Sequence, residues 1–332
     1  MAPNRFLSRW PRWHQGAAWL ALIILPMASY ATEFRSADLQ PADYPTVEAV
    51  KYMAKLANEQ SKGSLAIRVF PAGELGTEKN NIEQLRIGTL DMMRVNIGTL
   101  NSLVPETVVP VLPFLFRSTE HMRKVLDGPI GDEILASMEA HGLIGLAFYD
   151  SGARSFYSAK KPIRTLADMK GMRVRVLQSD LFGAMASALG AIPTPMPFDG
   201  VANALKTGLV DAAENNLPSY ESSRHFETAR YYNLTEHTRA PEVLVFSKKV
   251  WDKLSPDEQA ILRKTARQSV PFMRKLWDER EIKARKAVVS NGAEIVPLAG
   301  KPDFIDAMKP VYSRFANTPK ATDLIKRIQE TK

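Results

Sequence analysis

Between Asp168 and Tyr220 the hydrophobic period switches from two to helical and back, and this switch constrains the fold more than any other stretch. Met172–Leu177 alternates as Arg173-Val174-Arg175-Val176, so both arginines share one face of a short strand and both valines the other. Leu181, Met185, Ala188 and Leu189 then recur at helical spacing, and Gly190 ends that helix. Pro193, Pro195 and Pro197 hold an extended segment. A second helix over Val201–Thr207 stops at Gly208, and Val210–Glu214 reads as another strand. The unit is βαβα, with its strand ends on one edge of a sheet. Ligands of open α/β sheets bind at such edges.

A chain of 332 residues exceeds what one compact core usually holds, so two lobes are expected. Cysteine is absent, which excludes disulfides, thiolate catalysis and zinc–cysteine sites. The five histidines show no metal-ligand spacing, and neither a metal nor a cofactor is expected. Residues 1–31 read as a secretory signal. They have basic Arg5, Arg9 and Arg12, an apolar run from Ala17 to Met27, and small Ser29 and Ala31 for cleavage. That run is shorter than the about 20 residues of a membrane span; the other reading is an uncleaved anchor. The formal net charge of +8 falls to +5 without those three arginines. With no basic block, nucleic acid is not an expected partner, and the mild positive field suits a small anion.

Elsewhere strands and helices alternate. Strands are expected at Glu33–Ala37, Ser64–Phe70, Leu90–Asn96, Ile144–Phe148 and Glu242–Ser247, and a mostly parallel sheet follows from the alternation. Val108–Phe116 contains Pro110 and Pro113 and reads as a packed apolar loop. Asp150-Ser151-Gly152-Ala153 is a small-residue crossing between lobes. Ser255-Pro256-Asp257-Glu258 forms a capping box that opens a helix reaching about Asn291, with a kink at Pro271.

Three groups of residues carry a family resemblance: Asp168-Met169-Lys170-Gly171-Met172-Arg173-Val174-Arg175; Gly190-Ala191 with Pro193-Thr194-Pro195-Met196; and Ala204-Leu205-Lys206-Thr207-Gly208 with Asp211-Ala212-Ala213-Glu214-Asn215. In order and spacing they resemble the solute-binding proteins of tripartite ATP-independent periplasmic (TRAP) transporters, over nearly the whole mature chain. Gly200 and Ala202 depart from the family, which has Glu and Tyr in that turn. The resemblance implies an α/β, two-lobe periplasmic-binding-protein fold with a hinge and a long helix across both lobes. It divides the chain into signal 1–31, lobe I of 32–153 plus 241–280, and lobe II of 154–240 plus 281–332. It also implies a monomeric periplasmic receptor, not an enzyme, that captures a small organic acid and docks transiently on TRAP permease subunits. The segments DMMRVN, VDAAENNLPSYES, TEHTRAPEVLVFSK and RKLWDERE look like the subgroup that binds uronic acids, glucuronate or galacturonate.

Arginine presents a rigid fork that grips a carboxylate with two parallel bonds. The resemblance gives that role to Arg175, with Asn215 as amide partner; from composition alone such an arginine is a surface ion pair. Arg154 resembles a second cationic contact, or else a hinge salt bridge. Phe198 would cover a sugar face, or pack in the core. Arg94 and Asn96 share a strand face and belong to the other jaw, with Glu78 near them at a helix start, where it could also serve the helix dipole. Tyr44 would reach the cleft or merely pack.

A C4-dicarboxylate receptor is the alternative, because Arg175 with Arg94 or Arg154 could hold two carboxylates. A module feeding a sensor is a third reading. A periplasmic enzyme on acidic sugars is the fourth. Glu214, Glu221 and Asp211 are possible acids, yet nothing spaces a glycosidase pair, and no nucleophile-elbow, phosphate-loop or dinucleotide motif occurs.

Overall fold

In a computed structural model, which apart from Met1 describes residues 32–332, the strands sort into two sheets. The expected signal segment lies outside the described residues. The chain opens with β1 (Thr32–Ala37), α1 (Pro45–Gln60), β2 (Leu65–Phe70), α2 (Glu78–Ile87) and β3 (Met92–Asn96). Three-ten turns lead to α3 (Thr119–Leu126), α4 (Pro129–Ser137) and β4 (Leu143–Tyr149). After a crossing come β5 (Arg154–Ser158), β6 (Arg173–Val176), α5 (Asp180–Ala188), β7 (Ile192–Pro195), α6 (Val201–Lys206), β8 (Ala212–Asn216), α7 (Leu217–Ser222) and β9 (Tyr231–Thr238). The chain returns through β10 (Glu242–Ser247), α8 (Lys248–Trp251) and α9 (Pro256–Ser290), then ends in β11 (Glu294–Val296), α10 (Lys301–Ala307), α11 (Lys309–Phe315) and α12 (Pro319–Glu330).

The first sheet has the order β2-β1-β3-β10-β4, the second β11-β9-β5-β8-β6-β7. Each is the core of one α/β lobe. Both sheets are mostly parallel, as expected, but each contains one antiparallel strand that the alternation did not announce. β10 runs antiparallel to both β3 and β4, and β5 antiparallel to both β8 and β9. The reason is connectivity. β5 and β10 are the first strands after a crossing, and each enters its sheet from the side of the other lobe. β7 holds Pro193 and Pro195 at the edge of the second sheet, where a missing N–H breaks no ladder. The expected apolar loop begins in the end of a three-ten helix, Pro105–Val111, and continues as a non-helical segment over 112–116 with Leu112, Leu115 and Phe116 buried.

Helix α1 starts at Pro45 and buries Val47, Val50, Met53 and Ala57 at helical spacing against α9 and β2. Burial of a Val or Met side chain is worth about 1.5–3 kcal/mol. Helix α9 is capped by the reciprocal bonds of Ser255 and Glu258, and it is helical through Pro271. Leu262, Ala266, Val270, Met273 and Trp277 pack on the first sheet, while Val288 joins the core beneath the second. The long helix thus ties both lobes together. At the Asp150–Ala153 crossing, Gly152 has φ +60 and lies against α9. Its positive φ strains any L side chain, and a Cβ there would crowd the Glu281 carboxylate and the Trp277 ring, so glycine is favoured. Buried Asp150 beside it accepts from Arg123 Nε at 2.6 Å and Arg274 Nε at 3.3 Å.

The last helix departs from the expected division at 281–332. α12 packs on Pro105–Val111 and α4 of the first lobe. Arg117 donates to the carbonyls of Gln329 and Thr331, His121 Nε2 bonds the carbonyl of Ile328, and Arg327 pairs with Glu133 at 2.7 Å. α11 packs on α5 of the second lobe.

Candidate ligand-binding site

A cleft between the two sheets is lined by Leu39, Gln40, Glu78, Arg94, Asn96, Arg154, Arg175, Leu177, Phe198, Asn215, Ser219 and Glu242. It holds about 360 Å³ of empty space, part of it open to solvent. Of the eight residues singled out in the sequence, Arg175, Asn215, Arg154, Phe198, Arg94, Asn96 and Glu78 border this one cleft. Tyr44 does not; its hydroxyl lies 2.8 Å from Ser219 Oγ, deeper between the lobes.

The first jaw is built on β3. Period two places Arg94 and Asn96 on one face, and β10 sets Glu242 directly opposite Asn96. Arg94 is 3% exposed, and each of its three nitrogens donates to a carboxylate. Nε donates to Asp38 Oδ2 at 2.9 Å, Nη2 also pairs with Asp38, and Nη1 donates to Glu242 Oε2 at 2.8 Å. Asn96 Nδ2 donates to Glu242 Oε1 at 2.9 Å. Glu78, at the start of α2, accepts from Thr99 Oγ1 at 3.0 Å and lies 3.9 Å from Arg94 Nη1. Burial alone would lower the Arg94 pKa, but Asp38 and Glu242 hold it well above its usual value. Burial pushes the Glu78 and Asp38 carboxyls up, against the pull of Arg94.

The second jaw is built on β5, β6 and β8. Arg154 donates from Nε and Nη2 to Glu214 at 2.6 and 2.9 Å, and from Nη1 to Asn215 Oδ1 at 2.8 Å. Arg154 and Glu214 thus form a buried salt bridge within the second jaw. Burial works to raise the Glu214 carboxyl, yet Arg154 and His237 bring it down to about 2. Asn215 Oδ1 also accepts from Asn216 N at 2.8 Å, which leaves its amide N–H groups as the free donors. Phe198 is half-buried at the rim, 5.7 Å from the His225 ring.

Arg175 differs from both. It is 2% exposed, and Nε and Nη2 both donate to one acceptor, the carbonyl of Met196, at 3.1 and 2.8 Å. Among the described residues no carboxylate stands within ion-pair distance of it. Loss of water by burial lowers its pKa, only partly offset by Glu214 farther away. A buried cation served by a single carbonyl is a costly arrangement unless an anion completes it.

Leu39, Gln40, Leu177, Ser219 and Glu242 were not anticipated. Glu242 left a signal: a lone acid opening the apolar strand Val243–Phe246 beside a lobe crossing. Gln40 Nε2 donates to Ser219 Oγ at 3.2 Å across the cleft, a pairing no local pattern announces. The conceivable hydrolytic acids are all engaged: Glu214 by Arg154, Asp211 by Arg173 and Glu221 by Arg280. Among the described residues no cluster of His, Asp and Glu is arranged to hold a metal, and no helix is long and apolar enough to cross a membrane.

Residues 36–318 match the family model described as bacterial extracellular solute-binding protein, family 7. A TRAP periplasmic solute-binding protein of Bradyrhizobium sp. BTAi1, solved with α/β-D-galacturonate, is 64% identical. It superposes with a TM-score of 0.90 over 90% of this chain and 100% of that one. One from Xanthobacter autotrophicus Py2, with bound β-D-galacturonate, is 53% identical at a TM-score of 0.88, over 90% and 100% of the two chains. The 2,3-diketo-L-gulonate-binding periplasmic protein of Escherichia coli K12 is 33% identical over 318 residues, 93% of this chain and 97% of that protein.

Proposed function

The chain belongs to the bacterial extracellular solute-binding proteins of family 7, and from that premise we propose that its ligand is a hexuronate, D-galacturonate or D-glucuronate. It is a solute receptor of a TRAP transporter, not an enzyme: it binds a small acid and works with membrane permease components. The observation that carries the ligand reading is Arg175, a buried guanidinium whose only hydrogen-bond acceptor among the described residues is a carbonyl, at the wall of a cleft rich in hydroxyl partners. In this reading Arg175 and the Asn215 amide grip the carboxylate. Arg154, Arg94, Asn96 and Glu78 meet hydroxyls, directly or through the side chains they hold, and Phe198 covers the ring's apolar face. The dicarboxylate alternative needs a second cationic grip, and both Arg94 and Arg154 are already paired with carboxylates.

Lobe I is 32–153 with 241–280 and, by its packing, α12; lobe II is 154–240 with 281–318. The crossings at 150–153 and 239–241 act as the hinge, and ligand closes it by binding the closed state better. Residues 1–31 direct export to the periplasm, and the receptor acts as a monomer that docks transiently on the permease. The test is a thermal-shift screen of the mature protein. Galacturonate or glucuronate should raise the melting temperature by mass action, while galactose and glucose leave it unchanged. Stabilisation by succinate or malate alone would sink the uronate reading.

A further inference from the structure

Three carboxylates converge on one guanidinium in the first jaw. Asp38 takes two donors of Arg94 from behind, Glu242 takes the third, and Glu78 stands 3.9 Å off with no closer cation. Glu78 and Glu242 border the cleft, whereas Asp38 does not. In the second jaw, Arg154 and Glu214 cancel and Arg175 is left over. The cleft therefore has a positive wall and, facing it, a wall with more negative charge than its arginine offsets. A proton on Glu78 would still leave Asp38 and Glu242 against Arg94 alone.

We propose that Glu78 and Glu242 form a charge filter that accepts hydroxyl donors and bars a second carboxylate, so that the receptor takes monoacid sugars and rejects diacids. The inference rests on the reading that Arg175 holds the ligand's carboxylate. A hydroxyl meeting these oxygens donates a charge-assisted bond. A carboxylate there brings only acceptors to acceptors, and like charges repel strongly out of water. Arg94 does not compensate, because its single positive charge is already met by Asp38 and Glu242. Selectivity of this kind comes from repulsion of the wrong ligand as much as attraction of the right one.

Calorimetry with D-galacturonate, D-galactonate and galactarate tests the filter. Galactonate and galactarate share an open chain and differ in their second carboxylate, so the pair separates charge from ring shape. The wild type should bind galacturonate, and prefer galactonate to galactarate by at least a hundredfold. Glu242→Gln and the double variant with Glu78→Gln should close that gap by tenfold or more. Glu78→Gln alone, which removes no close ion pair, should narrow it measurably and keeps the test open if Glu242→Gln folds poorly. A wild type that takes galactarate as readily as galactonate, or a gap unchanged in the variants, overturns the filter. Failure of the wild type to bind galacturonate while it binds a diacid would overturn the uronate reading itself.

Discussion

Arg94 and Arg175 are the same residue type at nearly the same burial, one in each jaw, yet their surroundings are opposite. Arg94 is over-supplied with carboxylates, and Arg175 has a carbonyl. In the proposed reading the first serves the scaffold and the second is left for the ligand. Burial alone does not separate the two roles; the inventory of partners does.

The comparison breaks most visibly if Arg94 is removed. Arg94→Met would strand Asp38 and Glu242 without a cation, and should destabilise the protein by about 3–5 kcal/mol in urea melts. An unchanged unfolding midpoint would mean that Arg94 is not structural. Arg175→Met should do the reverse. It should weaken uronate binding by about 2–5 kcal/mol in calorimetry and leave the ligand-free melting temperature equal or higher, because an uncompensated buried cation is gone. A fall in stability as large as that of Arg94→Met would erase the distinction.

Arg154 sharpens the contrast, since it sits in the lobe of Arg175 but is paired like Arg94. Its partner Glu214 is held at about 2 against 4.5 when free. A depressed carboxylate stabilises above its unfolded value and loses that contribution as pH falls from about 4.5 towards 2. The loss amounts to about 3 kcal/mol. Acid titration of Glu214→Gln should show a flatter profile in that window. His225 is pushed down to about 3 by burial and by the charge of Arg175. Because the unfolded chain takes up that proton first, stability also declines as pH drops below about 6.5. Arg175→Met should raise the His225 titration midpoint in NMR, and no change would show that the two do not interact.

A smaller effect concerns how the jaws meet. A Cβ at Gly98 of the first lobe would lie 2.7 Å from Phe182 Cε2 of the second. Gly98→Ala should therefore penalise closure by about 1 kcal/mol, a several-fold loss of affinity with little change in ligand-free stability. An equal loss of both would place the strain within one lobe.

Strand and helix positions were legible because hydrophobic period is local, and the cleft residues were legible through the family resemblance. Strand direction at β5 and β10 was not, since it depends on which lobe the chain arrives from. The partners of Arg94 lie 56 and 148 residues away, so its pairing left no local trace. Glu242 left only a weak local signal, a lone acid opening an apolar strand, and its role appears only when β10 lies beside Asn96. The docking of α12 on the first lobe was hidden because an amphipathic helix declares a buried face but not what covers it.

The placement of β10 also bears on the order in which the molecule assembles. Except for the edge strand β11, the strands of the second sheet come from one stretch, residues 154–238, and pair over short separations. The first sheet needs β10 between β3 and β4, and then α12 as a late cover. Distant pairing is slower because loop closure must come first. The half of the chain made first is therefore the half completed last.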